Sequence, residues 1–377
     1  MIDYLEVSSE KNRDNRFTKE DVLSVSGEYG IVNQIEFQGR SFAGASVSNY
    51  GVVENGDVVY TKSPLKSNPY GIIKTNKGIP GIVSTLYAVY KPKEITDSKF
   101  VQIYFELDSR MNSYMHPLVN KGAKNDMKVS AENALKGMVS FPKKDEQEMI
   151  SLYFSTLDNL ITLHQRKCEQ TKKLKKYMLQ KMFPQNGAKV PEIRFDGFTY
   201  DWEQRKFADF TWDAGKRNKE DLDLEPYAIT NEHGFIRQRD AHDDFGYMKD
   251  TDRKAYNIVQ PNSFAYNPAR INVGSIGYYK GVENVIVSSL YEVFQTDNYV
   301  NDRFLWHWLK SDEFPRWIEK LQEGSVRLYF YYDKLCECQL YMPSLEEQEK
   351  IASFLDGLDN LITLHQRQHK LHLNMLL

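Results

Sequence analysis

Four polar segments, two in each half of the chain, carry side chains that could form the hydrogen bonds of nucleic-acid recognition. Lysine and arginine can donate to guanine and to phosphate, and the asparagine amide can pair with adenine, when a loop or helix presents them in a DNA groove. The candidates for such contacts are Lys62, Lys66, Asn68, Lys74 and Lys124 in the first half of the chain, and Asn267, Arg270, Asn272 and Arg327 in the second. Polar loops are also common at any protein surface, so the residue types predict DNA contacts without defining a site.

The sequence lacks the motifs of enzymes that modify or cut DNA. An adenine methyltransferase would need FxGxG for its cofactor and [N/D/S]PP[F/Y] for the flipped base, and neither occurs. The stretch 67–70 reads SNPY, with a single proline, which favours a turn. The phosphate-binding loop GxxxxGK[ST] is absent as well. Acidic and lysine residues between Asp240 and Lys254 could be arranged as a nuclease set, but an exposed acidic loop explains them better. We predict no catalytic residue.

Metal binding and disulfide bonding are equally weakly indicated. Cys168, Cys336 and Cys338 are too few for a disulfide framework, and their spacing lacks a second ligand pair for zinc. His164 and His365 occupy the same place in two copies of one motif, and such a residue could transfer a proton or bind a ligand. Packing between two helices is the simpler explanation, so we predict no metal site.

Bulk composition indicates an ordinary globular protein. The chain has 377 residues, of which 41% are hydrophobic and 27% charged, and its formal net charge is −3. The length suggests two to three domains. Neither a membrane-spanning run nor a signal pattern is visible, which predicts a cytoplasmic protein. The net charge leaves nucleic-acid binding open, because phosphate attraction acts locally.

The elements that must position these residues are duplicated. The word LDNLITLHQR occurs at 157–166 and again at 358–367, and Glu146-Gln147-Glu148 recurs as Glu347-Gln348-Glu349 at the same offset. Upstream, IVSTLYAVY at 82–90 resembles IVSSLYEVF at 286–294. This period is far longer than that of solenoid repeats, so each copy is predicted to be a domain-sized unit.

Each copy joins a variable globular part to a nearly constant helix. Short β-rich runs bounded by Gly, Pro and Asn alternate with helical stretches, which predicts mixed α and β structure. From Asp145 to Phe183 there is no Pro or Gly, and apolar residues recur near a 3.5-residue spacing, which predicts one long packed helix. The predicted domains are 1–142, a globular module; 143–185, a helix; 186–343, a second module; and 344–377, a second helix. Residues predicted to pack the helices together are Leu157, Ile161, His164, Leu358, Ile362 and His365.

These motifs together resemble one family, the specificity (S, HsdS) subunits of type I restriction-modification systems. The resemblance is carried by the paired EQE and LDNLITLHQR helices, by LKKYMLQKMFPQ, and by the linker PEIRFDGFTYDWEQRKFADF at 191–210. FAYNPARINVGSIG at 264–277 and, more loosely, YTKSPLKSNPYGII at 60–73 are similar to the family's target recognition domains.

The resemblance implies a fold and a function. The fold class would be α+β, with two α/β target recognition domains in tandem, separated and joined by two long antiparallel coiled-coil helices in a pseudo-twofold, duplicated arrangement. Such a subunit would be non-catalytic and would read a bipartite, asymmetric site in double-stranded DNA. The helices would act as a ruler and dock methyltransferase subunits, two in the family, and restriction subunits through them. S-adenosylmethionine, ATP and Mg²⁺ would be bound by those partners.

Other functions remain open at this point. The chain could be a coiled-coil structural adapter, a specificity module of a related methyltransferase system without restriction, or an enzyme with a hidden nuclease site. One departure from the family pattern concerns the linker. The second copy opens with the segment 191–209, whereas the first copy begins near the counterpart of Asp209, because Asp3–Asn12 aligns with Asp209–Asn218. The second helix ends in NMLL where the first continues as YMLQKMFP. We expect less stability in the first module and incomplete closure of the helical pair.

Overall fold

The computed structural model describes residues 1–62, 68–121, 127–231, 234–241, 253–324 and 328–376. It contains two compact units. The first unit comprises Met1–Thr162 with Leu371–Leu377, and the second comprises Leu163–Lys370. Of the residues singled out above, Lys66, Lys124 and Arg327 lie outside the described ranges.

The first unit is built from short strands and helices around a mixed core. Its strands are β1 (Leu5–Val7), β2 (Leu23–Ser26), β3 (Gly30–Asn33), β4 (Gly51–Val53), β5 (Val58–Thr61), β6 (Ile73–Thr75), β7 (Gly81–Val83), β8 (Tyr87–Pro92), β9 (Asn120–Lys121) and β10 (Met127–Lys128). Its short helices are α1 (Gln34–Gln38), α2 (Ser98–Phe105), α3 (Asp108–Met115) and α4 (Ala131–Ala134). Side chains at the starts of three of these helices, Asn33, Asp97 and Ser130, accept hydrogen bonds from the first turn and so define where each helix begins.

The second unit repeats this plan. Its strands are β11 (Glu203–Lys206), β12 (Thr211–Asp213), β13 (Lys216–Arg217), β14 (Pro226–Thr230), β15 (Gly234–Arg237), β16 (Asn257–Val259), β17 (Phe264–Tyr266), β18 (Ile276–Tyr278), β19 (Val285–Val287), β20 (Glu292–Thr296) and β21 (Gln339–Met342). Its short helices are α6 (Gln238–Ala241), α7 (Asp302–Leu309), α8 (Glu313–Leu321) and α9 (Tyr332–Glu337).

The four-stranded sheets of the two units have the same topology. The strand order is β1-β8-β5-β6 in the first unit and β12-β20-β17-β18 in the second, with antiparallel neighbours throughout. Tyr60 at the centre of the first sheet pairs with Ile73, and Tyr266 at the equivalent position pairs with Ile276. Both tyrosines are almost fully buried. The sequence duplication is therefore also a duplication of fold.

A second sheet is more continuous in the second unit. There, five strands pair in the order β13-β16-β19-β14-β15. In the first unit the corresponding strands form the pairs β4-β7 and β2-β3, and an isolated parallel bridge between Val22 and Ile82 links them. The parallel pairing of Pro226 with Ile286 is its counterpart in the second unit.

Two long helices complete the chain: α5 spans Lys144–Lys181 and α10 spans Leu345–Leu376. The first matches the predicted helix to within two residues at each end, because no Pro or Gly interrupts it. Within the second unit, the part of α5 after Thr162 runs antiparallel to α10, since His164 contacts His365 while Lys175 contacts Asp359. The predicted α+β class, with two mixed modules and long helices, is confirmed.

Candidate nucleic-acid interface

The loop after β17 presents two of the predicted DNA contacts to solvent. Asn267 builds this loop, because its side chain accepts a hydrogen bond from the Ala269 amide and its own amide donates to the Ser275 carbonyl. Buried Ile271 anchors the loop in the core. Arg270 and Asn272 on either side of it are exposed. They can therefore reach a groove, whereas Asn267 mainly holds the loop in shape.

In the first unit the equivalent region is organised differently. The Asn68 amide donates to Asp108 at 2.6 Å, and half-buried Lys62 has its pKa lowered by burial and by Lys11. Lys74 is only 4% exposed, and its Nζ lies 2.6 Å from Glu106 Oε1. A buried, ion-paired ammonium cannot reach a phosphate or a base edge. We therefore correct the prediction for Lys74, which is a residue of the module's interior.

In the first unit, the β2-β3 hairpin and the short helix α1 that follows it present a surface that the sequence did not predict. The ring of Tyr29, in the turn between β2 and β3, lies 5.5 Å from the ring of Phe37 in α1. After α1, the Arg40 guanidinium lies 4.7 Å from the centre of the Phe42 ring. All three rings are more than 40% exposed. Exposed aromatic rings beside an arginine suit contacts with sugars, bases and phosphates. Such a surface forms only when α1 turns the chain at Gly39.

The same hairpin-and-helix element in the second unit lines a cleft of about 1030 Å³. Arg237 at the end of β15 contacts the Tyr227 hydroxyl at 3.4 Å, Arg239 in α6 contacts Glu225 at 3.5 Å, and Arg253 contacts Asp223 at 3.6 Å. With Glu283, the lining holds three arginines and three carboxylates. Balanced charge favours directional hydrogen bonds over general attraction to phosphate. Only the fold brings these residues together, so their spacing in sequence gives no signal.

Each module is joined to its long helix by one buried glutamine. The Gln147 side chain accepts from the Asp97 amide and donates to the carbonyls of Ile95 and Pro142, at 2.8 to 3.3 Å. In the second unit Gln348 makes the same three bonds, with Asn301 as donor and with the carbonyls of Tyr299 and Pro343 as acceptors, also at 2.8 to 3.3 Å. Both side chains are at most 1% exposed. These glutamines fix the start of each helix against its recognition module.

The six residues predicted to pack the helices together are buried or half-buried in their own units. Leu157 in the first unit and Leu358 in the second are buried, and Ile161 and Ile362 are half-buried in their respective units. His164 and His365 are also half-buried, and their Nδ1 atoms lie 3.1 Å apart within the second unit. Buried Cys168 lies on the same helix as His164, one turn further on. The two histidines therefore contact each other, and their role in packing the helices stays a prediction.

A charged cluster connects α7 to the long helices inside the second unit. The Asp356 carboxylate accepts from the Arg303 guanidinium and from His307 Nε2 at 2.9 Å, and Lys175 lies 2.6 Å from Asp359. His307, Asp356 and Asp359 bring three possible ligand atoms within 4.8 Å of one another. Because Arg303 and Lys175 already neutralise the carboxylates, we assign the cluster to ion pairing between elements and not to metal binding.

Comparison with known proteins shows what this chain is similar to. Residues 201–374 match the family model described as the type I restriction modification DNA specificity domain. The specificity subunit of the type I restriction enzyme MjaVIII from Methanocaldococcus jannaschii is 23% identical over 326 residues, which cover 80% of this chain and 72% of that protein.

The fold is similar to that of a solved structure. The type I restriction-modification S subunit from M. genitalium superposes with a TM-score of 0.53 at 14% identity, covering 99% of this chain and 92% of that one. The HsdS subunit from Thermoanaerobacter tengcongensis gives 0.45 at 14% identity, over 97% and 91% of the two chains. The predicted resemblance to the specificity subunits of type I restriction-modification systems is confirmed, on the family model over residues 201–374 and on the MjaVIII relative. No helix within the described residues is both long and apolar enough to cross a membrane.

Proposed function

We propose that this chain reads a bipartite, asymmetric DNA target, with one recognition module on each half-site. The observation that carries the proposal is the combination of a repeated topology with unlike exposed residues. The two four-stranded sheets share one strand order, yet the first module exposes aromatic rings and Arg40 where the second exposes Arg237 and Arg239. Two modules with one backbone plan and different side chains are suited to two different short sequences.

The long helices would set the distance between the half-sites and dock the partner subunits. The two helices share the sequence LDNLITLHQR, whereas the two modules have diverged. Helices that stay alike while the modules differ are suited to a task that is the same in both copies. We propose that they bind two methyltransferase subunits and, through these, restriction subunits. S-adenosylmethionine would be bound by the former, and ATP and Mg²⁺ by the partner complex. The chain itself would be a non-catalytic, cytoplasmic DNA-recognition subunit, in keeping with the missing methyltransferase and ATP-binding motifs.

Selection from a random duplex library tests DNA reading directly. The chain, purified with its methyltransferase subunit, should enrich fragments that share two short sequences at one fixed spacing. A matched selection with the methyltransferase subunit alone should enrich no such motif. If the complex assembles and neither sample enriches a motif, DNA reading is refuted and the adapter function gains support.

A methyltransferase system without restriction is the second candidate. It predicts the same enriched motif, with methylation but no ATP-dependent cleavage when all subunits encoded beside the gene are combined. Cleavage of unmethylated target DNA by that mixture would contradict it.

A further inference from the structure

A short surface turn keeps the same structure in both modules, although the modules have diverged in sequence. It follows β7 in the first unit, where residues 84–87 read STLY, and β19 in the second, where residues 288–291 read SSLY. In each turn the leucine amide donates to the hydroxyl of the serine two residues earlier, at 3.4 and 3.3 Å. The tyrosine amide donates to the carbonyl of the same serine, at 3.1 and 3.0 Å. We call these two segments the leucine turns.

The tyrosine of each leucine turn is anchored at an equivalent strand position. Burial raises the pKa of Tyr87, and a backbone hydrogen bond with Val25 in β2 opposes this. Burial also raises the pKa of Tyr291, and a backbone hydrogen bond with Ile229 in β14 opposes it. Val25 and Ile229 are separated by the same number of positions as the two tyrosines. The same contacts therefore hold both turns in place.

The leucine of each turn is exposed to solvent. Leu86 is 64% exposed and Leu290 is 77% exposed. Single exposed apolar side chains are ordinary: Ile79 is 71% exposed, and its counterpart in the second module is Glu283. A leucine that stays exposed at one position in two diverged modules contributes little to either core. It indicates a contact that both modules make.

Cationic side chains lie beside the first leucine turn. The Lys62 amide donates to the Leu86 carbonyl at 3.2 Å, so this lysine adjoins the turn. Burial and then the nearby charge of Lys11 lower the pKa of Lys62, while Glu132 opposes them. Two ammonium groups and one carboxylate therefore surround this turn, which leaves an excess of positive charge.

The second leucine turn also has cations beside it. The Arg217 guanidinium donates to the Ser289 carbonyl at 3.2 Å. The charge of Arg270 is close enough to Tyr291 to oppose the effect of burial, the largest cause, on the pKa of that hydroxyl. Arg217 aligns with Lys11, so one of these cations is repeated between the modules. An anionic partner would meet positive charge at both turns.

We propose that Leu86 and Leu290 are apolar wedges that enter between neighbouring base pairs, one in each half-site. The inference rests on the proposed reading of DNA by both modules. The two half-sites differ in sequence, so a residue shared by both modules cannot distinguish them and must contact a feature of any duplex. Leucine can insert between base steps and unstack them, while cations on either side bind the phosphates. The leucine turns supply both kinds of side chain.

A methyltransferase subunit is the other partner that both modules would share. An exposed leucine could also pack into a pocket of such a subunit. The cations at both turns favour DNA, because phosphates carry a negative charge at every step of a duplex. Docking of the methyltransferase subunit by the leucines is therefore the alternative that the experiment must separate.

The fluorescence of 2-aminopurine tests the wedge in the complex of the full chain with its methyltransferase subunit. This base is placed at successive positions in and beside each half-site of the duplex that library selection enriches, and its fluorescence increases when its neighbours unstack. We expect the wild type to unstack one step in each half-site through its leucines. Leu86→Ala should remove that increase in one half-site and Leu290→Ala in the other. Each should weaken binding at least about threefold, without a change of base preference.

Leu86→Met keeps an apolar side chain of similar size and should keep the fluorescence increase. Ile79→Ala is the matched control and should behave as the wild type, because this exposed residue has no apolar counterpart. The proposal is overturned if the wild type enriches its motif and both leucine-to-alanine variants still unstack the same steps. It is also overturned if both variants release the methyltransferase subunit while Ile79→Ala retains it. Failure of the proposed function is seen separately, as a wild-type complex that enriches no motif.

Discussion

At the scale of single residues, a buried histidine and its carboxylate partner in the second unit should make the stability of that unit depend on pH. His307 is fully buried, and among the described residues its Nδ1 has no hydrogen-bond partner. Burial lowers the pKa of His307 below its ordinary value of 6.5, although Asp356 opposes this. Burial alone would raise the pKa of Asp356, but hydrogen bonds from His307 and Arg303 outweigh it and lower that pKa. The pair is therefore a neutral imidazole donating from Nε2 to a carboxylate.

This arrangement predicts a loss of stability with falling pH. A group whose pKa is lowered on folding binds more protons when unfolded, so the free energy of unfolding decreases as the pH falls through the unfolded value. For His307 that decrease begins near pH 6.5, and for Asp356 only below about 3.8. All five tryptophans lie in the second unit, so tryptophan fluorescence reports on the unfolding of this unit. The measurement is urea unfolding at several pH values between about 7.5 and about 5, a range that includes the value at which His307 begins to take up a proton.

His307→Gln keeps a donor that cannot be protonated, and its unfolding free energy should depend less on pH than that of the wild type. His116→Gln, at an exposed position in the first unit, is the control and should keep the wild-type dependence. If His307→Gln shows an unchanged slope, His307 is not the group that takes up the proton.

We propose that Arg270 contacts DNA in the second module. An exposed arginine on an anchored loop can form two hydrogen bonds with guanine, and its removal should cost about 1–3 kcal/mol of binding free energy. Arg270→Ala should therefore relax base preference at one position of one half-site and leave the other half-site unchanged. The measurement is library selection with the variant complex. Arg205 is also exposed in the same unit, and Arg205→Ala serves as the control. If Arg270→Ala weakens binding equally on all DNA sequences, Arg270 contacts phosphate and not a base.

At the scale of elements, the joint between module and helix is the most repeated feature. Gln147 and Gln348 satisfy one amide and two carbonyls each, in buried sites that water does not reach. Leaving a buried polar group without its hydrogen-bond partner costs about 1–3 kcal/mol of folding stability. The orientation of each helix start therefore depends on a side chain that makes no contact with DNA in our account.

Removal of the second glutamine should destabilise the second unit. We expect Gln348→Ala to lower its free energy of unfolding by about 1–3 kcal/mol, because the Asn301 amide and two carbonyls lose their partner. Urea unfolding followed by tryptophan fluorescence measures this loss. Gln366→Ala, at an exposed position on the same helix, should change it by less than about 0.5 kcal/mol. Similar effects of the two substitutions would show that the joint contributes no particular stability.

The length of the central helix should set the gap between half-sites. A helix advances about 1.5 Å per residue and DNA about 3.4 Å per base pair, so four residues inserted between Leu163 and Leu179 should lengthen the gap by about two base pairs. The modified sites of the variant complex, mapped by sequencing, give the gap directly. The same insertion beside Met138, which is 96% exposed, should leave the gap unchanged. An unaltered gap in the helix variant would refute the ruler.

The sequence predicted long-range repetition better than it predicted individual contacts. The helix over 145–183 is specified locally, by the absence of Pro and Gly and by its apolar spacing, and it forms almost where expected. Lys74 was misjudged because its partner Glu106 lies 32 residues away and only the fold makes the pair. Arg237, Arg239 and Arg253 were missed for the same reason, since hairpin, helix and a later segment converge on one cleft.

At the scale of the whole molecule, duplication is the central fact. One chain carries two modules of the same strand order and two long helices that share a ten-residue word. A protein that reads two different sequences at a fixed separation needs diverged modules and constant spacers, and that is the pattern of similarity found here.

Single-molecule methylome sequencing tests this account most directly. A host that expresses the chain with its methyltransferase subunit is compared with a matched strain that lacks the chain. The account predicts one new bipartite motif, asymmetric and of fixed gap, with N6-methyladenine in both halves. Methylation at no new motif, although the complex is soluble and assembled, would contradict it.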